Sequence, residues 1–380
     1  MKALYFSALL IASSLVGAAP GTVTILPFPP ISKPATVAKP HLHVKPKSIS
    51  LTPLGYSPSK IRSIYGFDKI LSTGAGQSIA IVDAFGSPTI QKDLDTFCSK
   101  YGLPKTAVQV HYPNGVPTGT NKDWAFETSL DVEWAHAIAP GAIIHLVVSY
   151  DDSDYFLLSA VDYAVSLGAK QVSMSWGSNE FSSDETYDSH FNVSGVSFFA
   201  SSGDNGAGVS WPAVSPYVVA VGGTTLYYNI FGCLYAERAW SGSGGGTSAY
   251  TSEPAFQAPF QTSKKRMLPD VCYDADPLTG FAVYMTDASI LGGWTIIGGT
   301  SAGAPQWAAL MALVNSARKE PLDNLPDILY RLGDPKTRTL YFRDITSGSN
   351  GGYNAGVGYD EVTGLGSPLV ASLIPILVSE

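Results

Sequence analysis

The chain has 380 residues, a formal net charge of −8 and a hydrophobic fraction of 45%, while Asp, Glu, Lys and Arg together make up only 14%. With 23 Lys and Arg in all, it lacks the basic surface that a nucleic-acid partner requires. Low charge density also limits self-repulsion when carboxylates protonate, which favours tolerance of acid, and the length suits one large α/β domain of roughly 300 residues or two smaller ones.

Residues 1–19 read as a secretory signal peptide: Lys2 is followed by a short apolar run that ends in small residues at Ala18 and Ala19. The run is short for a membrane anchor, the other reading of such a stretch, and no later segment is long and apolar enough to span a bilayer. A secreted, extracellular protein is therefore expected. Residues 20–50 carry repeated prolines interleaved with Lys33, Lys39, Lys45 and Lys47, the composition of an extended leader or linker. The folded domain is expected over 51–380. Cys98, Cys233 and Cys272 are an odd set for a secreted chain; one disulfide could form in any of three pairings, and nothing selects among them.

Beyond residue 66 strand and helix signals alternate. Short apolar runs at Ser78–Asp83, Ala142–Val148, Val172–Trp176, Val196–Ala200 and Tyr217–Val221 read as buried strands. Ile90–Tyr101, Trp124–Ala137, Tyr155–Leu167 and Gln306–Asn315 read as helices. Apolar strands alternating with helices predict an α/β fold with a parallel sheet covered on both faces, and sites at the carboxyl ends of its strands. Gly222–Gly299, rich in Gly, Ser, Thr and aromatic residues, reads as short strands and loops.

Three motifs carry chemistry. A small-residue turn, Gly298–Pro305, delivers Ser301 to the start of an apolar helix, where the helix dipole and unpaired N–H groups suit a nucleophile that builds an oxyanion beside it. An N-capping serine is the plain alternative. Glu127 and Asp131 lie four apart and share a helix face. Two touching carboxylates share a proton, and such a pair can accept a proton from serine in acid, where a histidine is already charged. A solvated acidic face is the ordinary reading of that spacing, but Trp124, Phe126, Leu130 and Trp134 around it indicate burial. Asp204 follows an apolar strand in Ser-Gly-Asp-Asn-Gly; held protonated it can donate to an oxyanion, and otherwise it is a turn residue.

With these residues in hand, the chain resembles the sedolisins, the serine-carboxyl peptidases. Glu127-x-x-x-Asp131, Ser202-Gly-Asp204 and Gly299-Thr-Ser-x-x-x-Pro305 occur in that order, together with Trp240–Gly246 and Pro269–Pro277. The resemblance runs from about Leu51 to the C-terminus. It implies a subtilisin-like three-layer fold with about seven parallel strands, Ser301 as nucleophile, Glu127 as its base, Asp131 as orienting partner, and Asp204 in the oxyanion hole with the Ser301 N–H. It also implies that Ser175, Trp176 and Gly177 pair with substrate by strand addition. Protein or peptide substrates and a monomer are expected. Sedolisins usually carry a large folded pro-domain, and only about 30 residues separate the signal from the core here. The resemblance further implies one structural Ca²⁺ held by Asp344 and Asp360 with the carbonyls of Ile345, Gly356 and Gly358, an oxygen shell that Ca²⁺ prefers; a flexible Gly/Asn loop is the other reading.

Two rival functions remain in view. A Ser-His-Asp protease needs a histidine facing Ser301, and none of His41, His43, His111, His136, His145 and His190 sits in a suitable motif, while Asp83 at a strand end has no evident partner. A catalytically dead binding module on the same scaffold is opposed by the intact set Glu127, Asp131, Asp204 and Ser301.

Overall fold

The structure, a computed structural model, describes residues 36–45, 50–229, 233–287 and 290–380. The expected signal peptide at 1–19 lies outside them. The elements up to the middle of the chain are β1 (Lys39–Pro40), β2 (His43–Val44), α1 (Pro58–Tyr65), β3 (Ser78–Ala84), α2 (Ile90–Tyr101), β4 (Val108–His111), α3 (Lys122–Ile138), β5 (Ile143–Ser149), α4 (Asp154–Ser166), β6 (Gln171–Met174) and β7 (Trp176–Asn179). They are followed by β8 (Ser197–Ser201), β9 (Ser210–Trp211), β10 (Val218–Tyr228), β11 (Leu234–Ala239), β12 (Gly246–Ser252), β13 (Lys265–Leu268), β14 (Val271–Asp274), β15 (Phe281–Asp287) and β16 (Ile290–Gly298). The last part holds α5 (Gly303–Asn315), α6 (Leu325–Leu332), β17 (Phe342–Arg343), β18 (Ser367–Pro368) and α7 (Val370–Ser379).

An eight-stranded sheet runs β11-β10-β8-β6-β3-β5-β4, with β14 pairing β10 beside β8. All of its pairings are parallel except that of β11 with β10. The reason is visible in β3, whose residues from Ile79 to Ala84 are all buried: a strand covered on both faces needs a continuous apolar run. Ile79 and Ile81 face the cluster built with α2, α3 and α5, and Ala80 and Val82 face the cluster built with α4. The sheet is thus the middle of three layers.

Two helices position the site. α5 is buried along its whole length, as a helix that is apolar on every face but for Gln306 and Asn315 has to be. α3 is buried from Trp124 to Ile138 although it carries Glu127, Asp131, Glu133 and His136. Its start is set by Asn121, whose side chain accepts from the Asp123 and Trp124 N–H groups. α3 and α5 pack on one another, so acids on one helix meet the turn that begins the other.

The part of the leader that the structure describes, 36–45, is extended, and it is hydrogen-bonded to the body of the fold. β1 joins β7 and β9, and β2 adds to the β15–β16 hairpin. That hairpin and the long β10 give the 222–299 region more regular strand than its composition predicts. α1, α6 and α7 are not among the helices that the sequence patterns indicate. All three cysteines are free: Cys98 and Cys272 are buried and Cys233 is exposed.

Candidate active site

Ser301 lies in a single helical turn, Thr300–Ala302, that leads directly into α5. Gly299 before it has φ of 119°, a conformation in which a side chain is strained. A Cβ there would also stand 2.2 Å from the His41 carbonyl oxygen and 2.6 Å from Asp204 Oδ2, so the turn is open to a peptide only because it is glycine. The Ser301 hydroxyl lies 3.0 Å from Glu127 Oε2 and 3.1 Å from the Ser175 carbonyl oxygen. The Ser175 hydroxyl in turn donates to the Ser301 carbonyl oxygen at 3.2 Å.

Behind Glu127 stand Asp131, one turn along α3, and Asp83, at the carboxyl end of β3. All three are fully buried. Glu127 Oε1 and the oxygens of Asp131 and Asp83 meet no donor at full hydrogen-bond geometry among the described residues, with the Ser175 hydroxyl near Asp131 and the Thr128 hydroxyl near Asp83; a proton retained on a carboxyl gives it a donor of its own. Burial pushes Glu127 well above the ordinary carboxylate range, and the charges of Asp131 and Asp83 push it further. Burial and Asp83 do the same to Asp131. Burial raises Asp83 to about 7 against the opposing effect of the Thr128 hydroxyl. Three buried acids side by side cannot all ionise, so the group keeps protons well above the pH at which free carboxylates lose them. Asp83, read from the sequence as a residue without a partner, is therefore a member of this cluster. Its only sequence signal was its place at the end of a buried strand.

Asp204 lies beyond β8, on the other side of Ser301. Its Oδ1 accepts from the Thr300 N–H at 2.8 Å and the Thr300 hydroxyl at 2.7 Å. Its Oδ2 accepts no hydrogen bond, and the His43 imidazole lies 3.5 Å from it. Burial raises Asp204 to about 7 despite the Thr300 contacts. One oxygen is thus clamped and the other is directed at the space in front of Gly299.

Ser175, Trp176 and Gly177 lie at the start of β7. Trp176 turns its indole inward, donating to the Val82 carbonyl at 2.8 Å, and the backbone edge faces β1, with Lys39 opposite Gly177 and Pro40 opposite Trp176 in antiparallel register. The histidines are elsewhere engaged: His41 Nδ1 with Ser201 at 2.8 Å, His111 with His145 at 3.1 Å, His136 with the Pro104 carbonyl at 2.7 Å, and His190 with Asp162 at 2.8 Å. The Ser301 hydroxyl thus has a carboxylate, and no imidazole, as its side-chain partner.

The calcium candidates converge on one loop. Asp360 accepts from the N–H groups of Gly356, Val362 and Thr363, and Asp344 accepts from the Gly358 N–H at 3.4 Å. Both carboxylates therefore lean on the backbone of residues 356–358, and Ile345 follows Asp344 directly. Hard oxygen donors of this kind fit Ca²⁺. No group of three His, Cys, Asp or Glu side chains suited to a metal occurs among the described residues, so backbone carbonyls have to complete any shell. The buried Arg338 guanidinium, 2.6 Å from Asp344 Oδ2, already neutralises one of the two charges.

A parallel α/β sheet with a serine at the head of a buried helix, and a carboxyl pair as that serine's partner, defines a subtilisin-like fold carrying a serine-carboxyl site. Comparison with known proteins agrees. The Subtilase family model matches residues 118–359. Kumamolisin of Bacillus sp. (strain MN-32) is 33% identical over 90% of this chain and 68% of its own length, and sedolisin of Pseudomonas sp. (strain 101) is 31% identical over 85% and 61%. Tripeptidyl-peptidase 1 of Dictyostelium discoideum is 28% identical over 80% of this chain and 55% of its own. The structure of Pseudomonas sedolisin complexed with two molecules of pseudo-iodotyrostatin superposes with a TM-score of 0.76 at 30% identity, covering 87% of this chain and 99% of that one. The chain belongs to the sedolisin family of serine-carboxyl peptidases.

Proposed function

We propose that this chain is a secreted peptidase, active in acid, that cleaves peptide bonds within proteins. The observation that carries the reading is the contact of the Ser301 hydroxyl with Glu127 at 3.0 Å. Ser301 attacks the substrate carbonyl carbon while Glu127 takes its proton. Asp131 and Asp83 keep Glu127 in a proton-sharing state. The Ser301 N–H and a protonated Asp204 hold the oxyanion. Glu127 returns the proton to the leaving amine, and water then releases the acyl group. Substrate lies against residues 175–177 as an added strand.

Cleavage inside a chain is favoured over release of tripeptides. The cleft accommodates an extended segment that passes in front of Ser301 with Thr36–His41 on one side and Leu42–Lys45 on the other, hydrogen-bonded at both ends. A tripeptide-releasing cleft has to be closed after three residues. Secretion rests on the signal-like residues 1–19; no helix among the described residues is long and apolar enough to cross a membrane. A single Ca²⁺ at Asp344, Ile345, Gly356, Gly358 and Asp360 would stabilise the C-terminal loop, remote from the chemistry, and the chain would act as a monomer.

A pH–activity profile on a denatured protein, with Ser301→Ala beside it, tests the reading. Activity should peak in acid and vanish in the variant. A maximum near pH 8 would overturn it in favour of a histidine base.

A further inference from the structure

The amino ends of the strands, at the opposite end of the sheet from Ser301, close around a second crevice. Ser78 begins β3, and Lys170 directly precedes β6. α5 starts just after Ser301 and packs back along β6 and β8, so its last residue, Asn315, reaches the same end. These three residues, with Arg318 and Lys319, line a space of about 240 Å³. Gly76 and Gly168 stand at its lip, and a Cβ on either would meet nothing within 4 Å, so the crevice opens to solvent.

The charged and polar groups around this space are donors. Asn315 is 3% exposed. Its Oδ1 accepts from the Leu322 N–H at 3.0 Å, which fixes the orientation of the amide, and its Nδ2 has no partner. Lys170, Arg318 and Lys319 surround it, and among the described residues no acidic side chain lines the crevice. Asp323, a few residues on, is taken up elsewhere by the Gly195 N–H at 2.9 Å and the Ser194 hydroxyl at 3.0 Å. Arg318 turns Nε to the Glu320 carbonyl and Nη1 to the Leu377 and Val378 carbonyls, so its charge is held in the wall. Behind the mouth, Gln171 is in register with Ile79 on one side and Ser197 on the other, which puts all three on the α5 face of the sheet. Both amide atoms of Gln171 and the Ser197 hydroxyl are buried without a partner. Polar groups buried in this way need partners that the chain itself does not supply.

We propose that this crevice binds a small tetrahedral oxyanion of the sulfate or phosphate class, held by Asn315 Nδ2 and the ammonium groups of Lys170 and Lys319 in the field of Arg318. Nitrogen donors, most of them charged, are what such an ion requires. A cation would be repelled by three positive charges, and a neutral polyol would leave them without a counter-charge. The Asn315 oxygen is already turned to Leu322, so the crevice is offered an amino group and not an acceptor. The bound ion ties the 168–170 turn and the start of β3 to the segment 315–321 that leaves α5. It thereby fastens the far end of the helix that presents Ser301 and touches none of the reacting groups. The site does not depend on the peptidase reading.

The test uses the full chain carrying Ser301→Ala, which keeps autolysis out of the measurement, near neutral pH. Sodium sulfate is titrated against sodium chloride of equal ionic strength, with isothermal titration calorimetry and Tm as readouts. The expected result is one sulfate per chain, bound saturably, and a Tm that climbs with sulfate beyond the chloride control. Lys170→Met with Lys319→Met removes two charges while keeping apolar stems, and should weaken binding by ~10-fold or more. Asn315→Asp keeps an oxygen for the Leu322 N–H and replaces the free donor with negative charge; it should bind no sulfate at concentrations that saturate the parent chain. Sulfate also stabilises folded proteins through exclusion from their surface. A Tm rise without saturable binding, or one undiminished in both variants, is that general effect and overturns the site. A sulfate that binds the parent chain and the variants alike is an adventitious ion only, and overturns it as well. If Asn315→Asp fails to fold, the double lysine variant decides alone.

Discussion

Ser301 and Glu127 are 174 residues apart in the chain and 3.0 Å apart between hydroxyl and carboxylate. That contact exists because α3 and α5 are both buried and pack on each other, and because Glu127 and Asp131 lie on the face of α3 that meets the α5 turn.

Removing either partner should abolish turnover without unfolding the chain. Ser301→Ala and Glu127→Gln are expected to lose several orders of magnitude in kcat. Asp204→Ala is expected to lose ~10²–10³, the usual effect of deleting one oxyanion donor. Circular dichroism should be unchanged. Near-native kcat in Glu127→Gln would show that another group takes the serine proton.

Asp83 acts on the same chemistry at one remove. Its charge raises both Glu127 and Asp131, so Asp83→Asn should move the pH limb that reports the carboxyl cluster to lower pH, with a smaller loss of kcat than Glu127→Gln. A pH profile superimposable on that of the wild type would confine Asp83 to packing.

Stability should be greatest in acid. Burial raises Asp83, Asp154 and Asp204 to about 7 from an ordinary 3.8. A carboxyl whose folded value is raised binds its proton more tightly in the native state. The resulting stability is complete below the unfolded value and is lost as pH climbs through the folded one. Each such group contributes ~1.4 kcal/mol less per pH unit across that interval. Tm should therefore fall between pH 4 and pH 7.5. A Tm that rises over this range would mean that these acids are ionised in the folded chain.

The seated leader should loosen in acid for a separate reason. Burial pushes His41 down to about 4, with the nearby His43 acting in the same direction and Ser201 against it. A free strand, with its histidine near 6.5, takes up a proton that the seated strand refuses. Seating should therefore weaken by ~10-fold per pH unit from 6.5 down to about 4, beyond which the seated histidine is charged as well. The labelled 36–45 peptide, titrated onto Ser301→Ala protein lacking its own leader, should show this slope. A peptide with the His41→Phe change should lose most of it. Equal slopes would remove His41 from the effect.

Calcium should matter to stability alone. An ion at Asp344 and Asp360 binds only the folded chain, and so stabilises it by about 2.7 kcal/mol at a hundredfold excess over Kd. Chelator should lower Tm near neutral pH, and Asp360→Ala should lower it equally and become insensitive to added Ca²⁺. Acid should weaken the site, because burial already raises Asp360 and protons compete with the ion. Identical melting curves with and without chelator, on protein shown by elemental analysis to be metal-free, would leave Arg338 as the sole counter-charge of Asp344.

Much of this protein is legible in its sequence. Short continuous apolar runs such as Ile79–Val82 suit strands covered on both faces, and a helix as apolar as α5 has to be buried, so the layered α/β core follows from local patterns. Ser301 and the pair Glu127 and Asp131 could be picked out because each motif lies within a single turn or helix face. What local patterns do not carry is which distant groups share a pocket. Asp83 looks like any residue at the end of a strand; it becomes an interacting acid only when β3 is laid against α3, where burial and the other carboxyls raise its pKa. The leader shows the same division more sharply. Its prolines favour an extended chain, but such a chain has unpaired N–H and C=O groups that can dock on any exposed strand edge. Only the folded edges of β7 and β16, on either side of Ser301, decide that it lies across the cleft with the His41 carbonyl against the Ser301 amide.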